Sequence, residues 1–305
     1  MKVDAHQHHW RFDAEAFPWI SPAMSAIARD CLPSDVRRKM REQGVQASVL
    51  VQARAVEAET DFLLAQAERY SQVAGVVGWT DLASPKLQAR LDQWGQSPKL
   101  RGFRHLLQDE ISVSGWVQRS DIRQGVRQLQ ARKLVYEVLV FDHQLHETLP
   151  FCSEMDQHWL VLDHIGKPCI RNWWTHSESA QRWGQALRAV AALPHVMCKL
   201  SGLVTEADWM AAQRRGGLTA EDLQAIEVCL DLALEAFGPA RMMFGSDWPV
   251  CELAATYDDV HCIVQSWANT RLSADEQALL WSKSAQRCYG LTLPGDAITG
   301  SPAQH

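Results

Sequence analysis

Eight short apolar runs punctuate the chain, at residues 2–8, 45–52, 73–81, 100–107, 134–141, 159–165, 196–201 and 242–247. Each is compact and rich in Val, Leu or Ile. None shows the long apolar–polar alternation of a strand with one wet face, so each suits a strand covered on both sides, as in a parallel sheet. Helical patterns lie between several of them. Ser34 reads as the cap of a helix carrying Val36 and Met40, with Gly44 as its stop. Phe62, Leu63 and Ala67 mark a helix over 57–70, and Ile122, Val126 and Leu129 share one face of another over 121–133. Thr219 and Asp222 form a capping box before Leu223, Ile226, Leu230 and Leu234, and Gly238-Pro239 ends that helix. Ser273 and Glu276 open the last clear helix, which closes near Gly290.

Eight strands alternating with helices over about 250 residues predict a single-domain α/β chain of the (β/α)8 TIM-barrel type, spanning residues 1–292. The rival is an open doubly wound sheet, which the absence of a G-x-G-x-x-G after an early strand disfavours. The stretch 293–305 (LPGDAITGSPAQH) is small and turn-rich and reads as a frayed tail.

The chain is long enough, at 305 residues and 47% hydrophobic, to bury a large core. Its net charge of -6 gives no reason to expect a nucleic-acid partner. The polar start Met1-Lys2-Val3-Asp4 and the lack of a long apolar run predict a cytoplasmic protein without a membrane partner. The sequence leaves the oligomeric state open, a homo-oligomer included. None of the eight cysteines forms a C-x-x-C pair, so they read as reduced and mostly buried thiols. The thirteen tryptophans serve either as core filling or as the walls of a ligand pocket.

Catalytic groups of a barrel stand where strands end and the following loops begin. Run one ends in Asp4-Ala5-His6-Gln7-His8, and residues two apart on a strand face the same side. Two imidazoles facing one space suit a metal, an anion or a hydrogen-bond network, although H-x-H alone also occurs by chance. Run six ends in Leu162-Asp163-His164-Ile165-Gly166-Lys167, adding a third imidazole and a lysine. Run eight ends in Phe244-Gly245-Ser246-Asp247-Trp248-Pro249. Asp247 stands too far before the helix expected near Thr256 to be its N-cap, which leaves the carboxylate free for chemistry. Three nitrogen donors and one oxygen donor, His6, His8, His164 and Asp247, suit a single Zn²⁺. Arg104 and Lys199 are candidates for stabilising a developing oxyanion. Gln52, Trp79, His105, Lys167, Ser201 and Trp248 are candidates for lining a polar, aromatic-walled pocket, with rim ion pairs or core packing as the plain reading of each.

These motifs carry a family resemblance. The D-x-H-x-H start, the R-G-F-R-H of run four, L-D-H-x-G-K-P, K-L-S-G and F-G-S-D-W-P together resemble the amidohydrolase superfamily, and within it the sugar-lactonase branch. The similarity runs from residue 3 to about residue 290. It implies water attack on the carbonyl of a small sugar lactone, an aldonolactone, with Asp247 as general base. It also implies His6, His8, His164 and Asp247 as catalytic or metal positions, and Arg104, Lys199 and Trp248 as positions near the substrate. Run five carries no histidine and run four offers Arg104 and His105 instead, so a bridged two-metal site is not expected; the branch resembles enzymes with one metal and others with none. The competing readings are a decarboxylase of aromatic acids, as other superfamily relatives are, and a sugar-binding barrel without catalysis.

Overall fold

The computed structural model describes residues 1–293. All eight runs are strands: β1 (Lys2–Gln7), β2 (Val45–Val51), β3 (Val73–Gly78), β4 (Leu100–His105), β5 (Val135–Val138), β6 (Leu160–Leu162), β7 (Val196–Leu200) and β8 (Met242–Phe244). They pair in parallel in the order of the chain. β1 and β8 close the ring through backbone bonds at their C-terminal ends, from His8 N to Trp248 O (2.7 Å) and from Asp247 N to His6 O (2.9 Å). The fully buried Asp4 fastens the same seam, because Oδ1 accepts from Ser246 N and Oδ2 from the Gln7 side chain. The fold is the (β/α)8 barrel.

Each strand ends two or more residues sooner on its C-terminal side than its apolar run, except for the one-residue losses on β1, β2 and β7. The trimmed residues form the loops that carry the polar groups. Helix ends follow local chemistry closely. Thr219 Oγ1 accepts from Asp222 N while the Asp222 carboxylate accepts from Thr219 N, and Thr256/Asp259 and Ser273/Glu276 repeat the arrangement. The expectation for Ser34 is corrected: Pro33 opens the helix Pro33–Glu42, and the carboxylate of Asp35 takes the N–H of Leu32, so Ser34 lies inside the first turn. Leu293 is buried, together with Leu291 and Tyr289, against the N-terminal end of the barrel. The remainder of the stretch 293–305 lies outside the described residues.

Two apolar clusters divide the core. The larger joins the outer faces of the strands to the helices. The smaller fills the barrel floor with residues such as Val3, Ala47, Val135, Val161, Met197 and Met243, stoppered by the C-terminal segment. Strand periodicity then fixes what stands above the floor. Two residues beyond Val135, Val161 and Met197 come Glu137, Asp163 and Lys199, all fully buried. A charged layer therefore rests on the dry one. No helix among the described residues is long and apolar enough to cross a membrane. The cysteines of the described residues are all free thiols, six of them buried.

Candidate active site

His6, His8 and Asp247 meet at the seam between β1 and β8. Asp247 Oδ1 is 3.3 Å from His8 Nε2 and 3.6 Å from His6 Nε2, and the two imidazole nitrogens are 3.1 Å apart. The sequence expectation that residue 247 returns to the N-terminal histidines is met by this geometry. β1 shifts register against β2 between Asp4 and Gln7, which turns His6 and His8 to the mouth although Val3 and Ala5 belong to the floor. Asp247 and His164 both adopt left-handed backbone, at φ 60° and 54°, and Ile165 follows at 55°. Side chains rarely occupy this region, least of all a β-branched one. Such residues concentrate where a site fixes a conformation at a cost in strain. Gly202 and Gly245 make room. A Cβ on Gly202 would stand 2.3 Å from His164 Nδ1, and one on Gly245 would stand 2.7 Å from His6 Cβ.

Tautomers follow from the partners. His8 Nδ1 donates to Val51 O at 2.8 Å, since a carbonyl can only accept, so neutral His8 carries a lone pair on Nε2. That lone pair faces the Asp247 carboxylate, a contact that a shared proton or a cation must relieve. His164 Nδ1 is bonded to Ser201 Oγ at 2.9 Å, and its ring centre lies 4.6 Å from that of His6. Burial, partly opposed by the charges of Asp247 and Asp163, holds the His164 pKa at about 4. Burial pushes the Asp247 carboxyl up, but the imidazoles of His164, His8 and His6 outweigh it and hold the group below the ordinary carboxylate range.

The donor set fits one divalent cation. His6, His8 and Asp247 each offer an atom within 4.8 Å of the others, and a second triad joins His6 to Asp163 and His164. The four expected ligands thus divide between two groups that share His6. Imidazole and carboxylate donors suit zinc among other divalent ions.

Other expected residues fall in different places. Arg104 lies beneath the histidines: Nη1 donates to Asp163 Oδ2 at 2.9 Å and stands 3.4 Å from His6 Nε2, and Nη2 donates to Gln52 O. Lys199 requires correction as an oxyanion donor. Its ammonium is fully buried and committed to Glu137 Oε1 (2.7 Å), His6 Nδ1 (3.1 Å) and Asp163 Oδ1 (3.2 Å). Gln52 and Trp248 require correction as pocket lining. The Gln52 amide is buried and donates to Arg104 O, and the buried Trp248 indole packs on His9 and donates to Glu252. Both therefore brace the strand ends.

Trp79, His105 and Lys167 reach the rim. Trp79 Nε1 donates to His105 Nδ1, which leaves His105 Nε2–H to donate to Glu110, and the ring stacks on Trp116 at 4.3 Å and 10°. Lys167 lies 4.9 Å over the Phe141 ring and 3.5 Å from Glu206. The sequence reading passed over Asp163, Glu137, Trp116 and Glu110. Glu137 and Asp163 were detectable as charges embedded in apolar runs. Trp116 and Glu110 lie in a connecting segment with no motif to point at them.

Residues 3–291 match the amidohydrolase family model. An L-fucono-1,5-lactonase of Burkholderia multivorans (strain ATCC 17616 / 249) is 52% identical over 297 residues, covering 97% of this chain and 98% of its own. A second L-fucono-1,5-lactonase, from Burkholderia ambifaria (strain ATCC BAA-244 / DSM 16087 / CCUG 44356 / LMG 19182 / AMMD), is 34% identical over 96% of this chain and 97% of its own. A crystal structure of a Burkholderia multivorans amidohydrolase with bound zinc matches with a TM-score of 0.91 at 52% identity, over 96% of this chain and 100% of that one. With a family match along residues 3–291 and relatives 52% and 34% identical over nearly the whole chain, the chain belongs to the amidohydrolase family.

Proposed function

We propose that this chain is a lactonase that opens a sugar lactone, an aldonolactone such as L-fuconolactone, to the free sugar acid. Residues 1–292 act in this reading as one catalytic unit. The observation that carries it is the Asp247 carboxyl group held 3.3 Å from His8 Nε2 at the β1–β8 seam, an acid–base group beside imidazoles at the mouth of the barrel. Two lactonases similar along their whole length support the choice of substrate class.

Asp247 accepts the proton of the attacking water as the new C–O bond forms at the lactone carbonyl. Collapse of the tetrahedral adduct breaks the ring C–O bond, and Asp247 returns the proton to the departing alkoxide. A lactone's alkoxide is a better leaving group than the nitrogen anion of an unprotonated amide, so modest electrophilic help suffices. Val51 O fixes the tautomer of His8, and Ser201 Oγ holds the His164 ring in place beside the reacting carbonyl. Trp79, Trp116 and His105 form a wall against which the apolar face of a sugar ring packs.

His6, His8 and Asp247, with His164 alongside, are the residues that would hold a single zinc ion. Bound there, zinc would supply polarisation of the carbonyl and a more acidic water.

The test is a panel of sugar lactones scored by acid release, run with and without a chelator, beside gas release from aromatic acids. Acid from aldonolactones and no gas is the expected result. Turnover of no lactone in the panel overturns the reading.

A further inference from the structure

The fully buried Lys199 ammonium has no role in the chemistry above. Lys199 Nζ has three hydrogens and no lone pair, and it has three acceptors in reach: Glu137 Oε1, His6 Nδ1 and Asp163 Oδ1. Glu137 is the nearest of these partners, and the same Oε1 accepts from Tyr289 Oη at 2.5 Å, in the C-terminal segment that stoppers the floor. An ammonium can only donate, so the Lys199 contact makes His6 Nδ1 an acceptor. A neutral imidazole that accepts at Nδ1 carries its proton on Nε2. That nitrogen lies 3.1 Å from the bare His8 Nε2, 3.6 Å from Asp247 Oδ1 and 3.4 Å from Arg104 Nη1, and its proton relieves the lone-pair contact between His8 and Asp247.

We propose that Glu137, through Lys199, sets the tautomer of His6, so that the Lys199–His6 hydrogen bond and a divalent cation on His6 Nε2 are alternatives. A cation at the His6–His8–Asp247 triad needs the lone pair of His6 Nε2. The ring proton must then move to Nδ1, where it meets an ammonium that has nothing to accept with. Asp163 Oδ1, 3.5 Å from Nδ1, is the acceptor available once Lys199 withdraws toward Glu137. Glu137 and Lys199 are positioning residues in this scheme, and they hold metal affinity below what the same donors would otherwise provide. Partners of metal-binding histidines commonly alter affinity by about 10–100-fold. The inference depends on the reading of His6 and His8 as metal ligands, and its readouts do not involve lactone turnover, so either idea can fail without the other.

Two measurements test it. Nitrogen-15 spectra of histidine-labelled, metal-free wild-type protein should show His6 protonated at Nε2 and His8 protonated at Nδ1. A wild-type His6 protonated at Nδ1 overturns the proposal without any variant. The second measurement is zinc affinity, by competition with a chromophoric chelator, for wild type and for Lys199→Met/Glu137→Gln. The double variant removes one charge of each sign, so it leaves the local net charge unchanged and spares the barrel an unpaired buried ion. Zinc should bind it about tenfold tighter or more. Unchanged or weaker binding means that Lys199 does not compete with the metal.

Discussion

Met197 and Lys199 stand two residues apart on β7 and share a face of the strand, yet one joins the dry floor and the other an ion cluster. The same step separates Val135 from Glu137 on β5 and Val161 from Asp163 on β6. The floor consists of aliphatic side chains closed by Tyr289, Leu291 and Leu293, and its energetics are those of packing and transfer from water. The layer above exchanges that stabilisation for position. Two cations, Arg104 and Lys199, and two carboxylates, Glu137 and Asp163, lock one another and leave His6 one orientation. Buried pairs of this kind add little net stability but are costly to break singly. The contrast teaches that the barrel separates stability from function along the strand direction, within about 7 Å, the rise of two residues.

This separation has consequences of decreasing size. Asp247→Asn should lower the turnover of an aldonolactone by about 10³-fold, as loss of a general base does, while the protein stays folded. Steady-state kinetics beside thermal denaturation check this, and near-normal turnover would remove Asp247 from the mechanism. Met243→Ala, in the floor, should do the reverse. A cavity there costs about 2–5 kcal/mol of stability in denaturant titration, with kcat/KM of the folded enzyme close to wild type. A large fall in activity at full stability would show that the two layers are not separable.

Acid should act across both layers. Burial holds His9 at about 3, and His164 and His261 at about 4, below their ordinary value of 6.5. These folded-state values are depressed, so the unfolded chain binds more protons between about pH 6.5 and 4 and stability falls as pH falls through that window. Midpoints of urea unfolding measured from neutral pH to pH 4 should decline by the equivalent of a few kcal/mol, and a flat profile would contradict the burial of these rings. The smallest effect belongs to the loop after β7. Gly202→Ala puts a methyl group against His164 at a residue with φ of 68°, so kcat should fall on the order of tenfold (~1.4 kcal/mol). Unaltered kcat in that variant would mean that the placement of His164 is not critical.

The sequence was most legible where local rules act alone. The eight runs, the capping boxes at Thr219 and Ser273, and the gap between Asp247 and the helix beginning at Tyr257 are short-range features, and the fold preserved them. Motif residues at strand ends identified the seam of His6, His8 and Asp247 because a barrel makes strands one and eight neighbours. Lys199 and Gln52 misled for one reason. A polar residue near a strand end faces either the mouth or the interior, and its depth depends on register and shear against neighbouring strands.

By itself, then, the order of residues determined the alternation of strands and helices, the barrel and the identities of the groups at its rim. Apolar runs, caps and turn residues act over a few neighbours, and closure of eight parallel strands follows from them. The tertiary structure alone decided which nitrogen of each imidazole is engaged, which cation is sealed beneath His6, and how Tyr289 secures Glu137 from more than a hundred residues away. Those outcomes depend on distances of about 3 Å between separate strands, where hydrogen bonds are made or lost, and no local pattern in a chain encodes them.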